Sequence, residues 1–97
     1  MYARISTFYC QAGKLDELSK LFQDVIIPAN QAQAGCIRTY MLAESATNKV
    51  VVITVWESVE AMNASDSNGF YQSQVARVLP LLTSAPIREH FEVKAHA

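Results

Sequence analysis

The sequence predicts a small α+β domain with the ferredoxin-like order βαββαβ and a four-stranded antiparallel sheet. Its 97 residues leave room for one domain, because most domains are about 100 to 150 residues long. The composition, 51% hydrophobic and 18% charged, excludes the polar, charge-rich chains that stay disordered. Strand-like and helical spacings of apolar residues follow one another in the order strand, helix, strand, strand, helix, strand. We therefore expect a single domain over residues 1–97.

The first third of the chain predicts a strand and then a helix. The segment Met1–Cys10 is rich in aromatic and β-branched residues and is broken up by polar ones, as in a half-buried strand. Asp16 and Glu17 then suit the positive end of a helix dipole. Helical spacing relates the apolar residues Leu15, Leu18, Leu21, Phe22, Val25 and Ile26. Pro28 is expected to end or kink this helix, with room for one further turn before Gly35.

The middle of the chain predicts a β-hairpin. Cys36–Glu44 and Lys49–Glu57 both have the residue types of strands, and the polar segment 45–48 between them is typical of a turn.

The last part predicts a second helical region and a final strand. Ser58 occupies the position of an N-cap, and the pattern is interrupted at 65–69 before it resumes. The stripe expected to be buried after this interruption consists of Phe70, Gln74, Val75, Val78, Leu79 and Leu82. Pro80 and Pro86 are expected to close it, and Ile87–Lys94 alternates as a strand.

The third strand predicts a homodimer. In this topology both helices cover one face of the sheet. The strand Val50–Trp56 nevertheless carries apolar residues towards both faces. At roughly 25 cal/mol per Å², leaving Val51, Ile53 and Val55 in water would forfeit several kcal/mol, which is comparable with the stability of a small domain. A second copy of the chain, related by a two-fold axis, would cover this face.

Charge and hydropathy exclude several classes of partner. The net charge is −1 and no basic cluster occurs, so we expect neither nucleic acid nor an anionic membrane surface as a partner. The longest apolar run, Val50–Trp56, is far too short to span a membrane, and the N-terminus lacks a leader pattern. We expect a soluble cytoplasmic protein.

Cys10 and Cys36 are predicted to be free thiols. They lie at opposite ends of two parallel strands, which separates the two cysteines by about 25 Å, whereas a disulfide needs Cα atoms within about 7 Å.

Three motifs carry a resemblance to a known family. They are the strand end TVWES (Thr54–Ser58), the helix start SVEAM (Ser58–Met62) and the exit PLLTSAP into the last strand. With Gly13, Gly35 and Trp56 at matching places, the chain resembles the antibiotic biosynthesis monooxygenase (ABM) family of the dimeric α+β barrel superfamily over nearly its whole length. The resemblance implies a pocket between sheet and helices, lined by the tryptophan. It also implies a range of activities that includes cofactor-free oxygenases, quinol monooxygenases and haem-degrading enzymes.

The catalytic signatures of two branches of that family are absent. Haem-degrading relatives use an asparagine on the first strand, the tryptophan and a histidine ligand in the second helix. The matching positions here are Ser6 or Thr7, then Trp56 and Gln74. Because an amide oxygen is a poor axial ligand for iron, we expect no haem.

Anthrone-oxidising relatives carry an asparagine four residues before the tryptophan and a tyrosine six after it, where this chain has Val52 and Met62. Other relatives carry a histidine early in the second helix, where this chain has Ser65 or its neighbours.

Two hypotheses about function follow. The chain is a cofactor-independent monooxygenase of an aromatic or quinol-like compound, or it is a ligand-binding or regulatory dimer that has kept the pocket without the chemistry.

A small planar ligand is expected beside Trp56, between the sheet and the helix that carries Phe70, Tyr71 and Gln74. Trp56 either stacks on that ligand or packs in the core. On the first strand, Arg4 shares its parity with Ser6 and Phe8. Its guanidinium either holds an anionic or phenolate oxygen or extends to the edge of the sheet.

His90 is the candidate general base, because an imidazole titrates near neutral pH. It shares the polar parity of the last strand with Arg88, Glu92 and Lys94, which favours a solvent-facing or interface position. No set of residues has metal-ligand spacing and no phosphate-binding loop is present, so neither metal nor cofactor is expected.

Overall fold

The computed structural model describes residues 1–97 and contains a four-stranded antiparallel sheet. The strands are β1 (Tyr2–Tyr9), β2 (Cys36–Glu44), β3 (Lys49–Trp56) and β4 (Ile87–Glu92). Their order across the sheet is β2-β3-β1-β4, with every neighbouring pair antiparallel. The predicted ferredoxin-like topology is confirmed, and the last strand ends two residues earlier than the sequence pattern indicates.

The first helical region continues through Pro28 to Gln31, so it does not end at this proline, and the further turn expected before Gly35 is present. Its segments are α1 (Leu15–Leu21), a π-helical segment (Phe22–Ile26) and α2 (Ile27–Gln31). The N–H of Ile27 donates to the carbonyl of Phe22, five residues earlier, which is the hydrogen bond of a π-helix. Pro28 then lies in the first turn of α2, where its missing N–H and fixed φ are tolerated.

The second helical region consists of α3 (Val59–Ser67), α4 (Phe70–Val78) and a 3-10 turn (Leu79–Leu81). Ser58 caps α3, since its Oγ accepts a hydrogen bond from the N–H of Ala61 at 3.1 Å. The interruption predicted over 65–69 is confined to Asn68 and Gly69, and Gly69 has φ of +88°. Ser65 and Ser67 remain helical in α3 while their hydroxyls donate to backbone carbonyls three residues earlier, those of Met62 and Ala64. Asp66 instead pairs with side chains of β1 and β4.

All the helices pack on one face of the sheet, which we call the helix face. The core there combines alternate residues of β1 and β3 with apolar residues of the helices and of the chain that leads into β4. Its buried members are Phe8, Cys10, Leu18, Phe22, Ile26, Val50, Val52, Val78 and Leu82. The aromatic rings of Phe8 and Phe22 stack with centroids 6.5 Å apart.

The opposite side of the sheet, the open face, carries the other parity of each strand. Ile5, Ile53 and Tyr40 lie side by side there, as the strand registers require. Large apolar side chains on this face are exposed, with Leu42 at 49% and Phe91 at 51%. No helix combines the length and the apolar character needed to cross a membrane.

Candidate functional site

An inner cavity of about 40 Å³ lies between the helix face of the sheet and α4. It is lined by Arg4, Ser6, Phe8, Phe22, Ile26, Asn30, Val52, Thr54, Tyr71, Gln74, Val75, Val78 and Pro86. Arg4, Ser6 and Phe8 reach it together because alternate residues of β1 share one face. The walls are mainly apolar, with a small set of polar groups, as in sites for small organic ligands.

Arg4 is the charged residue of this wall, and only 4% of it is exposed. Its Nη1 donates to Ser65 Oγ at 2.7 Å and to Asp66 Oδ1 at 2.8 Å. The guanidinium carbon lies 5.4 Å from the ring centroid of Trp56 and 4.6 Å from that of Tyr71. Burial lowers the pKa of Arg4, while the charge of Asp66 and its hydrogen bond oppose that effect. A buried cation is thus held in one place beside the cavity.

Asp66 joins three cationic or ionisable groups. Besides Arg4, it contacts His90, whose Nε2 is 2.7 Å from Oδ2, and Arg88, whose Nη1 is 3.5 Å from Oδ1. Asp66 comes from α3, whereas the three partners come from β1 and β4. Sequence reasoning missed Asp66 because nothing in the local pattern 65–69 indicates which strand it faces.

A pair of hydroxyl groups crosses the cavity wall. Ser6 Oγ lies 2.9 Å from Tyr71 Oη, which connects β1 to α4. Two guanidinium groups lie over the ring of Tyr71, with the guanidinium carbons of Arg4 and Arg88 4.6 Å and 4.8 Å from its centroid. Cations over the face of an aromatic ring are attracted by its quadrupole, so both arginines contribute to the position of Tyr71.

Two buried polar atoms near the site have no hydrogen-bond partner. They are Gln74 Oε1 and Trp56 Nε1. Gln74 lines the cavity, so its carbonyl oxygen is an acceptor available to a group inside it. A buried acceptor without a donor costs about 1–3 kcal/mol, which a ligand hydroxyl would recover.

Five of the predicted site residues line the inner cavity and three do not. The lining residues are Arg4, Ser6, Phe8, Tyr71 and Gln74. Trp56 is fully buried and lies under Arg4, and Phe70 begins α4 outside the cavity wall.

His90 is partly exposed, as expected of a polar edge strand, but its strand partner is Arg4, so it lies on the helix face. β4 is an edge strand whose residues are all exposed, and His90 nevertheless contacts Asp66 of α3.

A second polar cluster, also not predicted, contributes Asn30 and Thr54 to the cavity wall. Asn30 Nδ2 donates to Thr39 Oγ1 at 3.2 Å, and Thr39 Oγ1 donates to Thr54 Oγ1 at 3.5 Å. All three residues are buried. No group of three or more His, Cys, Asp or Glu side chains is arranged to hold a metal ion.

Comparison with known proteins identifies relatives over most of the chain. The family model described as antibiotic biosynthesis monooxygenase matches residues 1–77. The uncharacterized protein Rv2557 of Mycobacterium tuberculosis is 34% identical over 65 residues, which are 67% of this chain and 29% of that protein. The uncharacterized protein Rv2558 of the same organism is 30% identical over 87 residues, or 90% of this chain and 33% of that protein. The chain spans about a third of the length of these relatives.

Solved structures show the same architecture. A MhuD variant with two manganese protoporphyrin IX molecules bound per active site is 27% identical, with a TM-score of 0.79, covering 100% of this chain and 98% of that one. Rv0793 of Mycobacterium tuberculosis is 21% identical, with a TM-score of 0.74, covering 99% of this chain and 97% of that one. At that identity, the likeness to Rv0793 concerns the fold alone.

Proposed function

The chain belongs to the antibiotic biosynthesis monooxygenase family, and we propose that it is a small cofactor-independent monooxygenase of an aromatic or quinol-like compound. The observation that carries the proposal is the unpartnered acceptor Gln74 Oε1 in the wall of an otherwise mainly apolar cavity. A phenol or quinol supplies what this site lacks, because it combines a flat apolar ring with a hydroxyl donor. We take residues 1–97 as one such domain and place it in the cytoplasm, which suits its free thiols.

Arg4 supplies the electrostatic part of the proposed reaction. Removal of a proton from the substrate leaves an electron-rich anion, and a buried guanidinium stabilises that charge more than water does. The anion transfers electrons to O₂. When a phenol becomes a quinone, one ring C–H becomes a carbonyl. One oxygen atom of O₂ enters the product and the other leaves as water with the hydrogens of the C–H and O–H groups, so the substrate supplies all four electrons.

Trp56 and His90 do not line the inner cavity, so this proposal gives each an indirect role. Trp56 positions Arg4, whose guanidinium carbon lies over its indole ring. His90 remains our candidate base, although its ring must leave Asp66 to reach the cavity, since it does not line the wall.

The ligand must also displace part of the wall. An engineered cavity that binds benzene measures about 150 Å³, whereas the inner cavity measures about 40 Å³. Tyr71 is the side chain best placed to move, because it is only half-buried and separates the cavity from the surface. Phe8 and the aliphatic side chains of the core would stay in place.

The alternative function is a non-catalytic ligand-binding or regulatory dimer. One observation favours it, since no histidine or carboxylate lines the inner cavity. Such a site could bind a phenol through Gln74 without a base to ionise it.

In either case we propose that the protein is a homodimer joined through the open face. Tyr40, Leu42, Ile87 and Phe91 are 47–67% exposed there, and the half-buried Val51, Ile53 and Val55 lie among them. A second copy presents an identical apolar sheet, so each face buries the other around a two-fold axis.

Oxygen uptake and binding measured on a panel of quinols and anthrones test the proposal. Gln74→Leu removes the acceptor at nearly constant volume, and Gln31→Leu, at an exposed position of α2, is the matched control. We expect oxygen-dependent turnover without added metal or flavin, reduced at least tenfold by Gln74→Leu and unaffected by Gln31→Leu. Binding that depends on Gln74 without turnover of any compound would favour the alternative. Binding and turnover that are both indifferent to Gln74→Leu would remove the site.

A further inference from the structure

An outer groove of about 420 Å³ adjoins the inner cavity and opens to the surface. It is lined by Tyr71, Gln72, Val75, Ala85, Pro86 and Arg88. Three of these residues, Tyr71, Val75 and Pro86, also line the inner cavity. The two spaces are therefore separated by a wall one side chain thick, and the groove is the approach to the cavity on this side.

The charges beside the groove do not balance. Arg4 and Arg88 share a single carboxylate, that of Asp66. The remaining ion pairs lie elsewhere or engage other cations, and they are Lys14–Glu17, Lys20–Asp24 and Lys94–Glu92. Two permanent positive charges thus face one negative charge. An anion placed here would be attracted by the surplus cation.

Arg88 is the available cation of the two. Arg4 is buried and donates to both Ser65 and Asp66, which together fix it. Arg88 is 36% exposed at its side chain and lies 3.5 Å from Asp66 Oδ1, compared with 2.8 Å for Arg4. Its guanidinium also stacks over Tyr71 at the edge of the groove. The planar fork of arginine matches the two oxygens of a carboxylate.

We propose that the outer groove binds the carboxylate of an aromatic carboxylic acid through Arg88, while its ring lies against Tyr71, Val75 and Pro86. This deepens the proposed function and rests on its premise that an aromatic compound enters between the sheet and α4. A ring that extends past Tyr71 would bring its hydroxyl towards Gln74 Oε1. The substrate class is then a hydroxylated aromatic acid, with its carboxylate at the entrance and its reactive ring inside.

Calorimetric titration with 1-naphthoate and with 1-naphthamide tests the inference, because the two compounds differ in charge but hardly in shape. For the unmodified protein we expect the acid to bind at least tenfold more tightly than the amide, and this preference to weaken as salt is added. Arg88→Gln should abolish the preference, and Arg88→Lys should keep most of it because it keeps the charge. Arg77→Gln, at an exposed position of α4 without an ion-pair partner, is the control and should leave it unchanged.

Equal binding of acid and amide, no binding of naphthoate, or a preference that survives Arg88→Gln would each overturn the inference. Its failure can be told apart from that of the proposed function. If quinols bind and are oxidised while the carboxylate brings no advantage, only the inference fails. If naphthoate binds through Arg88 while no compound consumes oxygen, the anion site stands and the monooxygenase proposal fails.

Discussion

Arg4 of β1 and Asp66 of α3 form a buried ion pair, with Arg4 Nη1 2.8 Å from Asp66 Oδ1. The two residues are 62 positions apart in the chain, so the pair joins the sheet to the second helical region. Its environment is asymmetric, because Arg4 is 4% exposed at its side chain and Asp66 16%. Removing the carboxylate would leave a buried guanidinium with Ser65 as its remaining hydrogen-bond partner.

Asp66→Ala is therefore expected to lower the free energy of unfolding by about 3–5 kcal/mol, the usual cost of an uncompensated buried charge. The milder Asp66→Asn keeps a hydrogen-bond acceptor and should cost less. Urea unfolding followed by circular dichroism measures both. Asp24→Ala breaks the exposed pair with Lys20 and should hardly move the midpoint. Equal losses from the two alanine variants would contradict the importance of the buried pair.

Gly35 is predicted to be intolerant of a side chain because of a close approach to α3. A Cβ at this position would lie 2.6 Å from Ala61 Cβ, and the residue has φ of +82°. Gly35→Ala should destabilise the fold by about 2–4 kcal/mol, the sum of overpacking and left-handed strain.

Gly13→Ala is the matched control, since Gly13 has φ of +78° and open space around it. It should cost about 1–2 kcal/mol for the backbone alone. Adding Ala61→Gly to Gly35→Ala should recover the overpacking part. A double variant no more stable than Gly35→Ala would show that steric contact is not the cause.

The cysteines are predicted to differ in reactivity between the folded and unfolded protein. Both are free, with Cys10 buried and Cys36 half-buried. Burial is the main cause that raises the pKa of each thiol. Ellman's reagent at pH 8 should therefore react slowly with the native protein and should detect two thiols after denaturation.

The pH dependence follows from the direction of these shifts. A thiol pKa raised by folding favours the neutral form, so its contribution to stability is complete below the ordinary thiol pKa of about 8.5. That contribution is lost as the pH rises through the higher folded value. Above about pH 8.5, the free energy of unfolding in urea should fall more steeply with pH for the unmodified protein than for the Cys10→Ala, Cys36→Ala double variant. If both proteins lost stability with pH in the same way, the burial of the two thiols would not be the cause.

The open face is predicted to hold two copies of the chain together. Sedimentation should give about twice the chain mass of 10.8 kDa. Ile53→Glu places a charge at the centre of that face, between Ile5 and Tyr40, and should give monomers because a buried unpaired charge is costly. Ser73→Glu, at an exposed position of α4, should leave the dimer intact. A monomeric parent protein at tens of micromolar would contradict the proposal.

Haem is not expected to bind in a saturable way, because the residues of the inner cavity do not fit it. No histidine, cysteine or methionine lines the cavity, and the hydroxyl of its tyrosine, Tyr71, is bonded to Ser6. The amide of Gln74 is a poor axial ligand. Titration with haemin should give no saturable one-per-subunit Soret shift with a low-micromolar midpoint. Such a shift, lost in Trp56→Ala, would contradict this prediction.

Local patterns were enough to predict the architecture. Each strand and helix leaves a period of two or of 3.6 in the sequence, and these periods survive in any tertiary context that buries one face. Apolar residues at both odd and even positions of Val50–Trp56 predicted that both faces of the sheet are apolar, and the structure has both apolar faces. The π-helical segment before Pro28 was not predictable in this way, because such a segment leaves no distinct period in a few residues.

The site depended on tertiary structure. Parity on β1 placed Arg4, Ser6 and Phe8 on one face, and helical spacing brought Tyr71 and Gln74 to the same wall. The role of Asp66 could not be predicted, because an ion pair across 62 positions depends on how α3 lies over β1. The same packing placed Arg4 over Trp56 and brought Arg88 to Tyr71. Sequence determines which face a side chain occupies, whereas distances between elements arise only when those faces pack together.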